Sequence, residues 1–244
     1  MKMTGNTDSK IRLNKYLAHA GICSRREADT FIATGNVSVN GKVITEMGFK
    51  VNPTDEVRFN GELLKTEKKE YVLLNKPKNF ITTTRDDKGR RTVMELVANA
   101  SKNRLIPVGR LDRNTTGLLL FTNDGDLAKK LTHPKHGVSK LYHVVLNKNV
   151  KASDLDKIRT GIHLDDGRIK VDEVSFTEQG GKSEVGIKIH SGKNRIVRKI
   201  FEHLGYDVVK LDRVLFAGLT KKDLPRGHWR HLNKQEVINL RNIQ

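Results

Sequence analysis

Residues 109–134 read GRLDRNTTGLLLFTNDGDLAKKLTHP, and the order of residue types in this run decides how the chain folds around it. Asp112 stands between Arg110 and Arg113 in a polar segment, directly before the apolar block Leu118 to Phe121. A short apolar block bounded by turn residues predicts a buried strand. Asp124-Gly125-Asp126 then predicts a turn followed by a helix N-cap. The order fixes a carboxylate at the mouth of a rigid sheet, with cations close enough to keep it ionised, which is how a nucleophilic or basic aspartate is prepared. On composition alone the same residues also describe a surface salt bridge in a loop. Thr115, Thr116 and Gly117 supply tight-turn chemistry and short hydroxyl partners.

Outward from this run, strands and helices alternate irregularly, which makes the class α+β. YVLLN at 71–75, LLLFT at 118–122 and KLYHVVL at 140–146 predict buried strands, and VGIKIH at 185–190 alternates like a half-buried one. Thr92-x-x-Glu95 predicts a capped helix through Ala98, and Ser153-x-x-Asp156 one closed by Gly161. A helix is expected over 194–204, ended by Gly205, with Ile196, Ile200 and Leu204 on one side and Arg195, Arg198 and Lys199 towards another. Asp165-Asp166-Gly167 predicts a hairpin turn. Towards the N-terminus, Leu13, Tyr16, Leu17 and Ala20 recur at helical spacing. Ser24-Arg25-Arg26-Glu27 predicts a capping box opening a second helix, and Asn40-Gly41 and Asn60-Gly61 predict hairpin turns. Residues 1–9 carry no apolar periodicity and are expected to be disordered. KTEKKE at 65–70 is expected to be a linker.

The 244 residues carry a formal charge of +18 at pH 7, far more than solubility needs, and such an excess of Lys and Arg meets a polyanion. Residues 1–66 hold 10 Lys and Arg against 7 Asp and Glu, leaving 36 against 21 in the rest, so the larger part should itself grip nucleic acid. No stretch of 18 apolar residues and no basic-then-apolar leader is present in the sequence, so no membrane association is expected. The single cysteine, Cys23, excludes an internal disulfide framework and fits a reducing cytoplasm.

RLNKYLAHAGICSRREADTFIATGNVSVNGK at 12–42 resembles the S4 RNA-binding domain. GRLDRNTTGLLLFTNDGDLAKKLTHP, with YVLLNKP at 71–77 and SKLYHV at 139–144, resembles the signature of the pseudouridine synthases that act on ribosomal RNA, the RsuA and RluB branch. The resemblance covers residues 11–232. It implies a small S4 (αL-type) domain at 10–64, a linker at 65–70 and, at 71–244, a catalytic domain with a mixed, largely antiparallel sheet. It also implies Asp112 as the catalytic aspartate, Arg110 as the side chain that fills the stack where the target nucleotide leaves, Tyr142 as the ring packed on the uracil, and Arg198 as the basic partner of Asp112. Lys15, Arg25, Arg26, Lys42, Lys76, Arg113, Lys140, Arg195 and Lys199 are the candidate RNA-binding residues. Two departures stand out. Ile196 replaces a Gln frequent in relatives, which puts a direct amide contact to the uracil in doubt, and Asn79 replaces a Gly, which suggests a different turn after Pro77.

A target base inside folded RNA must be extruded before the N1–C1′ bond can be cut and the ring rejoined through C5, hence a wedge, a stacking ring and a nucleophile. Asp112 would attack C1′, remove the C2′ proton or add to C6, and the sequence leaves these routes open. Because the reaction is an isomerisation, neither metal nor nucleotide cofactor is expected. His133, His136 and His143 form only a weak metal-ligand pattern. The expected partner is ribosomal RNA, with the 23S molecule favoured, or a pre-ribosomal particle, and a cytoplasmic monomer is the default. The alternatives are an S4-type binder without catalysis, and a synthase for 16S or transfer RNA.

Overall fold

The computed structural model describes residues 10–165 and 167–243. The disorder expected of residues 1–9 and the middle position of the 165–167 turn lie outside them. The chain divides into two compact units, Met1–Lys69 and Glu70–Gln244.

In the first unit, helices at Leu13–His19 and Arg25–Ala33 bury Leu13, Leu17, Ala28 and Ile32 against Cys23, Val37, Val39, Val51 and Val57. The capping box forms as its residues dictate: the Glu27 amide donates to Ser24 Oγ at 3.3 Å and the Ser24 amide to Glu27 Oε2 at 2.7 Å. A four-stranded antiparallel sheet runs in the order Lys42–Val43, Val37–Val39, Val57–Phe59, Glu62–Leu63. Both of its Asn-Gly turns hold positive φ at both residues, 50° and 80° at Asn40-Gly41 and 48° and 84° at Asn60-Gly61, the mirror-image turn that matches strand twist.

The second unit is built on one mixed sheet. Its main path runs Glu173–Phe176, Glu184–Ile189, Lys140–Leu146, Val208–Phe216, Thr116–Thr122, Tyr71–Lys76, Trp229–His231. These pairings are antiparallel except the parallel one between Thr116–Thr122 and Val208–Phe216, where Asp212 faces Thr116 and Arg213 faces Gly117. The uninterrupted apolar run of the opening stretch has a simple cause: its strand is covered on both faces. Leu119 and Phe121 pack with Val72 and Leu74 in one core, and Leu118 and Leu120 with Tyr71 and Leu73 in the other. Each such leucine, fully buried, contributes roughly 2 kcal/mol. Gly117, the second residue of this strand, has φ 105°, and a Cβ there would lie 2.3 Å from the Arg213 carbonyl oxygen, so the parallel seam closes only on glycine.

Three helices differ from expectation. The helix after Thr92 spans only Val93–Leu96, although Thr92 N does donate to Glu95 Oε1 at 2.6 Å. The next spans Ala152–Thr160 with Lys151 at its N-cap, because Asp156 pairs with Arg159 while Asp154 bonds the Tyr206 hydroxyl and Lys157. The third spans Ile196–His203, and Arg195 is its left-handed N-cap (φ 51°) instead of part of its basic face. Asp124 caps the helix Gly125–Thr132, accepting from the Leu127 amide at 3.2 Å. No helix among the described residues is long and apolar enough to cross a membrane.

Candidate active site

The loop carrying Asp112 is held from beneath by a lysine side chain that grips its backbone carbonyls. Lys76 ends the buried Tyr71–Lys76 strand opposite Gly117 and is 0% exposed. Its Nζ donates to the carbonyls of Thr115 (2.8 Å), Asp112 (3.0 Å), Pro77 (3.1 Å) and Arg113 (3.3 Å). An ammonium shared among carbonyls is a charge-assisted clamp. Burial pulls its pKa down to about 8, against the attraction of Asp112 and with the repulsion of Arg226. The expectation that Lys76 binds RNA is therefore corrected: the pleat that ends its strand turns the side chain under the loop, away from solvent. Thr82 Oγ1 ties the loop from the other side, donating to the Leu111 carbonyl at 2.8 Å, and the Asn79 amide donates to the Arg113 carbonyl at 2.9 Å. Asn79 sits at φ 71°, the region a glycine would take, so the departure at this position keeps a glycine-type turn instead of producing a different one.

The Asp112 carboxylate itself remains 40% exposed, with Arg195 Nη1 at 4.0 Å. Arg195 also reaches Glu202 Oε1 at 3.3 Å. Arg198, expected as the direct partner, instead donates from Nη1 to the Val208 carbonyl at 3.0 Å. Its guanidinium still feels the Asp112 charge, while burial and Arg195 lower its pKa. Asp112 thus lies among cations without being closed into a tight pair, which leaves its oxygens open to a ligand.

A cavity of about 560 Å³ opens in front of Asp112, lined among others by Arg110, Tyr142, Lys140, Arg213 and Phe216. Its size suits a small polar ligand or an extruded nucleotide. Arg110 is exposed at its rim and Tyr142 is buried in its wall. Ile196 contributes an apolar surface to the cavity wall, where the family resemblance led one to expect an amide. A second cavity, about 490 Å³, lies beside Asp112 and gathers Lys78, Arg113, Arg195 and Arg198.

Other candidate RNA-binding residues fall into two groups. Arg25, Arg26 and Lys42 are exposed on the first unit, Arg113 is exposed beside Asp112, and Lys15 and Lys199 are half-buried. Lys140, by contrast, turns its Nζ onto the carbonyls of His190 (2.9 Å) and Ser191 (3.2 Å). Burial, helped by Arg213 and opposed by Asp172, brings its pKa to about 8. The histidines have ordinary structural partners: the His133 and His136 rings meet edge to face at 6.2 Å, and His143 bonds Glu184 at 2.8 Å.

Sequence reasoning missed a buried polar network next to this cavity. Asp212 accepts from Thr116 Oγ1 (2.8 Å), from Arg226 Nη1 and Nη2 (2.9 and 3.0 Å) and from Lys221. Burial raises its pKa, but these bonds outweigh burial and hold it at about 2. Arg226 continues to Asn75 Oδ1 at 2.6 Å. The available signal was Leu-Asp-Arg-Val-Leu-Phe at 211–216, a charged pair interrupting a strand-like apolar run.

Residues 70–203 match the RNA pseudouridylate synthase family, and residues 11–57 match the S4 domain. The chain belongs to the RNA pseudouridylate synthase family. Over 234 residues this synthase is 42% identical to the ribosomal large subunit pseudouridine synthase B of Bacillus subtilis (strain 168), covering 94% of this chain and 95% of that one. It is 37% identical over 236 residues to the dual-specificity RNA pseudouridine synthase RluF of Escherichia coli (strain K12), covering 96% and 79%. A crystal structure of a pseudouridylate synthase superposes with a TM-score of 0.66 at 28% identity, over 94% of this chain and 99% of that one. An S4 domain followed by the pseudouridine synthase fold is therefore the architecture of the chain, and isomerisation of uridine in RNA is its activity.

Proposed function

We propose that the synthase converts one specific uridine of ribosomal RNA, in the large subunit, to pseudouridine, with Asp112 as the reacting carboxylate. The carrying observation is the half-exposed Asp112 carboxylate at the mouth of the cavity, on a loop whose backbone Lys76 clamps. Clamping the backbone while leaving the side chain open is what a nucleophile or base needs, since it fixes direction without neutralising the group. Tyr142 packs on the extruded uracil from the cavity wall, and Arg110 at the rim fills the stack the nucleotide leaves. Arg195, 4.0 Å from the carboxylate, and Arg198 place positive charge beside Asp112. All three routes through C1′, C2′ or C6 begin from this carboxylate. The reaction balances without any redox partner or group donor, so no cofactor enters. The large subunit is favoured by the 42% identity to the Bacillus subtilis enzyme named for it, and the exposed Arg25, Arg26 and Lys42 suit phosphate contacts that add affinity without choosing bases. We place the protein in the cytoplasm, as a monomer.

The test is a pseudouridine map of both ribosomal RNAs from cells lacking the protein, restored with wild type or with Asp112→Ala. One large-subunit site lost and regained only with wild type is expected. In vitro, Asp112→Ala should lower turnover by roughly 10⁴-fold or more with melting and RNA affinity little changed. Normal modification by Asp112→Ala overturns the assignment. A map in which no ribosomal site changes moves the substrate to transfer RNA, or the protein to a binder.

A further inference from the structure

Arg213 is a cation that the mechanism above leaves unused. It is 3% exposed, stands opposite Tyr142 on the neighbouring strand and lines the cavity in front of Asp112. Its Nε donates to the Leu118 carbonyl at 2.8 Å, and its guanidinium carbon lies 4.5 Å from the centre of the Phe216 ring. Nη2 is closed to solvent and has no hydrogen-bond partner among the described residues. Leaving a buried donor unpaired is costly, and more so when it is charged. The adjacent carboxylate, Asp212, is already engaged by Arg226, Lys221 and Thr116. Nearby, Lys140 rests on two carbonyls and is repelled by Arg213, an effect only partly offset by Asp172. This wall of the cavity therefore carries positive charge held by neutral groups, together with a donor that the fold itself does not use.

We propose that Arg213 holds the target uracil, its Nη2 donating to a ring carbonyl oxygen, O2 or O4. The inference rests on the reaction proposed above and names a group that touches the reacting base. When a carboxylate oxygen of Asp112 bonds C1′, the N1–C1′ pair leaves on N1 and spreads over O2 and O4. When Asp112 takes the C2′ proton instead, the C2′–H pair becomes the C1′=C2′ bond and the same uracil anion departs. When it adds to C6, the C5=C6 pair shifts towards O4. On each route negative charge grows on a uracil oxygen. On the first, C5 then attacks C1′, the carboxylate is freed, and the C5 proton passes to N1. A donor already in place for that charge, away from water, acts most strongly in the transition state. Tyr142 on the ring face and Arg213 on its edge would fix the base in two directions while it turns.

The test is single-turnover pseudouridine formation on a ribosomal RNA fragment bearing uridine, 2-thiouridine or 4-thiouridine at the target, with wild type, Arg213→Lys and Arg213→Gln. Sulfur accepts a hydrogen bond poorly. For the wild type, one thio substrate should slow by about 10-fold to 100-fold. Arg213→Gln should slow the uridine substrate comparably, with RNA affinity retained, and the same thio substitution should then add less than about twofold. Arg213→Lys, which keeps charge but loses the planar fork, should fall between. Equal thio effects in wild type and variants overturn the proposal. So do full wild-type rates on both thio substrates, a result that requires no variant to fold. A wild type inactive on every RNA is a different outcome: it overturns the reaction itself.

Discussion

Cations of the first unit and cations around the Asp112 cavity do opposite things with the same charge. Arg25, Arg26 and Lys42 stand exposed, where a phosphate can replace water. Lys76, Lys140 and Arg213 turn inward, onto the carbonyls of Thr115, His190 and Leu118 among others. The surplus of 36 Lys and Arg over 21 Asp and Glu in the larger part of the chain is therefore not all an RNA-gripping surface. Part of it is internal scaffolding for a loop that must carry an anion. A charge count predicts a polyanionic partner correctly, yet says nothing about which cation meets it.

The largest effect is expected at Asp212, the buried carboxylate that pairs with Arg226 and Lys221 beside the inward-facing cations. Asp212→Asn should destabilise the fold by about 2 kcal/mol, because Arg226 and Lys221, themselves partly exposed, lose their carboxylate partner. With a folded pKa of about 2, below the ordinary 3.8, this carboxylate contributes stability that is complete above about pH 4 and is lost as pH falls towards 2. Denaturant melts across that window should show a shallower acid dependence in the variant, and parallel curves would contradict the role. Lys76→Met comes next. It keeps the apolar stem but removes the clamp, and misplacing the loop by an ångström is expected to lower kcat about 100-fold while RNA affinity stays near wild type. A fall in affinity at unchanged kcat would return Lys76 to the RNA-binding group. The smallest effect belongs to Arg25→Ala with Arg26→Ala. If each meets a phosphate, the slope of log affinity against log salt should shrink by roughly 0.7 per contact, with kcat untouched. An unchanged slope would mean these two are ordinary solvated arginines.

Periodicity and turn chemistry made the elements legible. Ser24 with Glu27 and the two Asn-Gly turns act within a few residues of themselves, so local sequence is enough to read them. The same holds for Leu118 to Phe121, whose burial on both faces needs no knowledge of the partner strands. Helix starts were less legible. Ser153 and Asn194 had the right residues nearby, but Asp154 was claimed by Tyr206, 52 residues on, and the chain reaches the 196 helix through a left-handed Arg195. The position of Asp112 followed from its own segment, whereas its surroundings did not. Lys76 lies 36 residues before it and Arg195 comes after a separate strand, so their contacts exist only once the sheet has formed. The clue for Lys76 was present but subtle: it extends an otherwise fully buried strand and precedes a proline. For Asp212 and Arg213 the signal was a charged pair interrupting the apolar run 211–216, but their partners depend on a parallel seam closed at Gly117.

Arg195 holds a backbone conformation that glycine or asparagine would occupy at lower energy, by about 1–2 kcal/mol for a residue with an ordinary side chain. Its guanidinium also lies 4.0 Å from the Asp112 carboxylate. Selection for heat resistance alone would favour glycine or asparagine here, whereas under the role proposed for Asp112 selection for turnover would keep the arginine, so robustness and activity would pull the same codon in opposite directions.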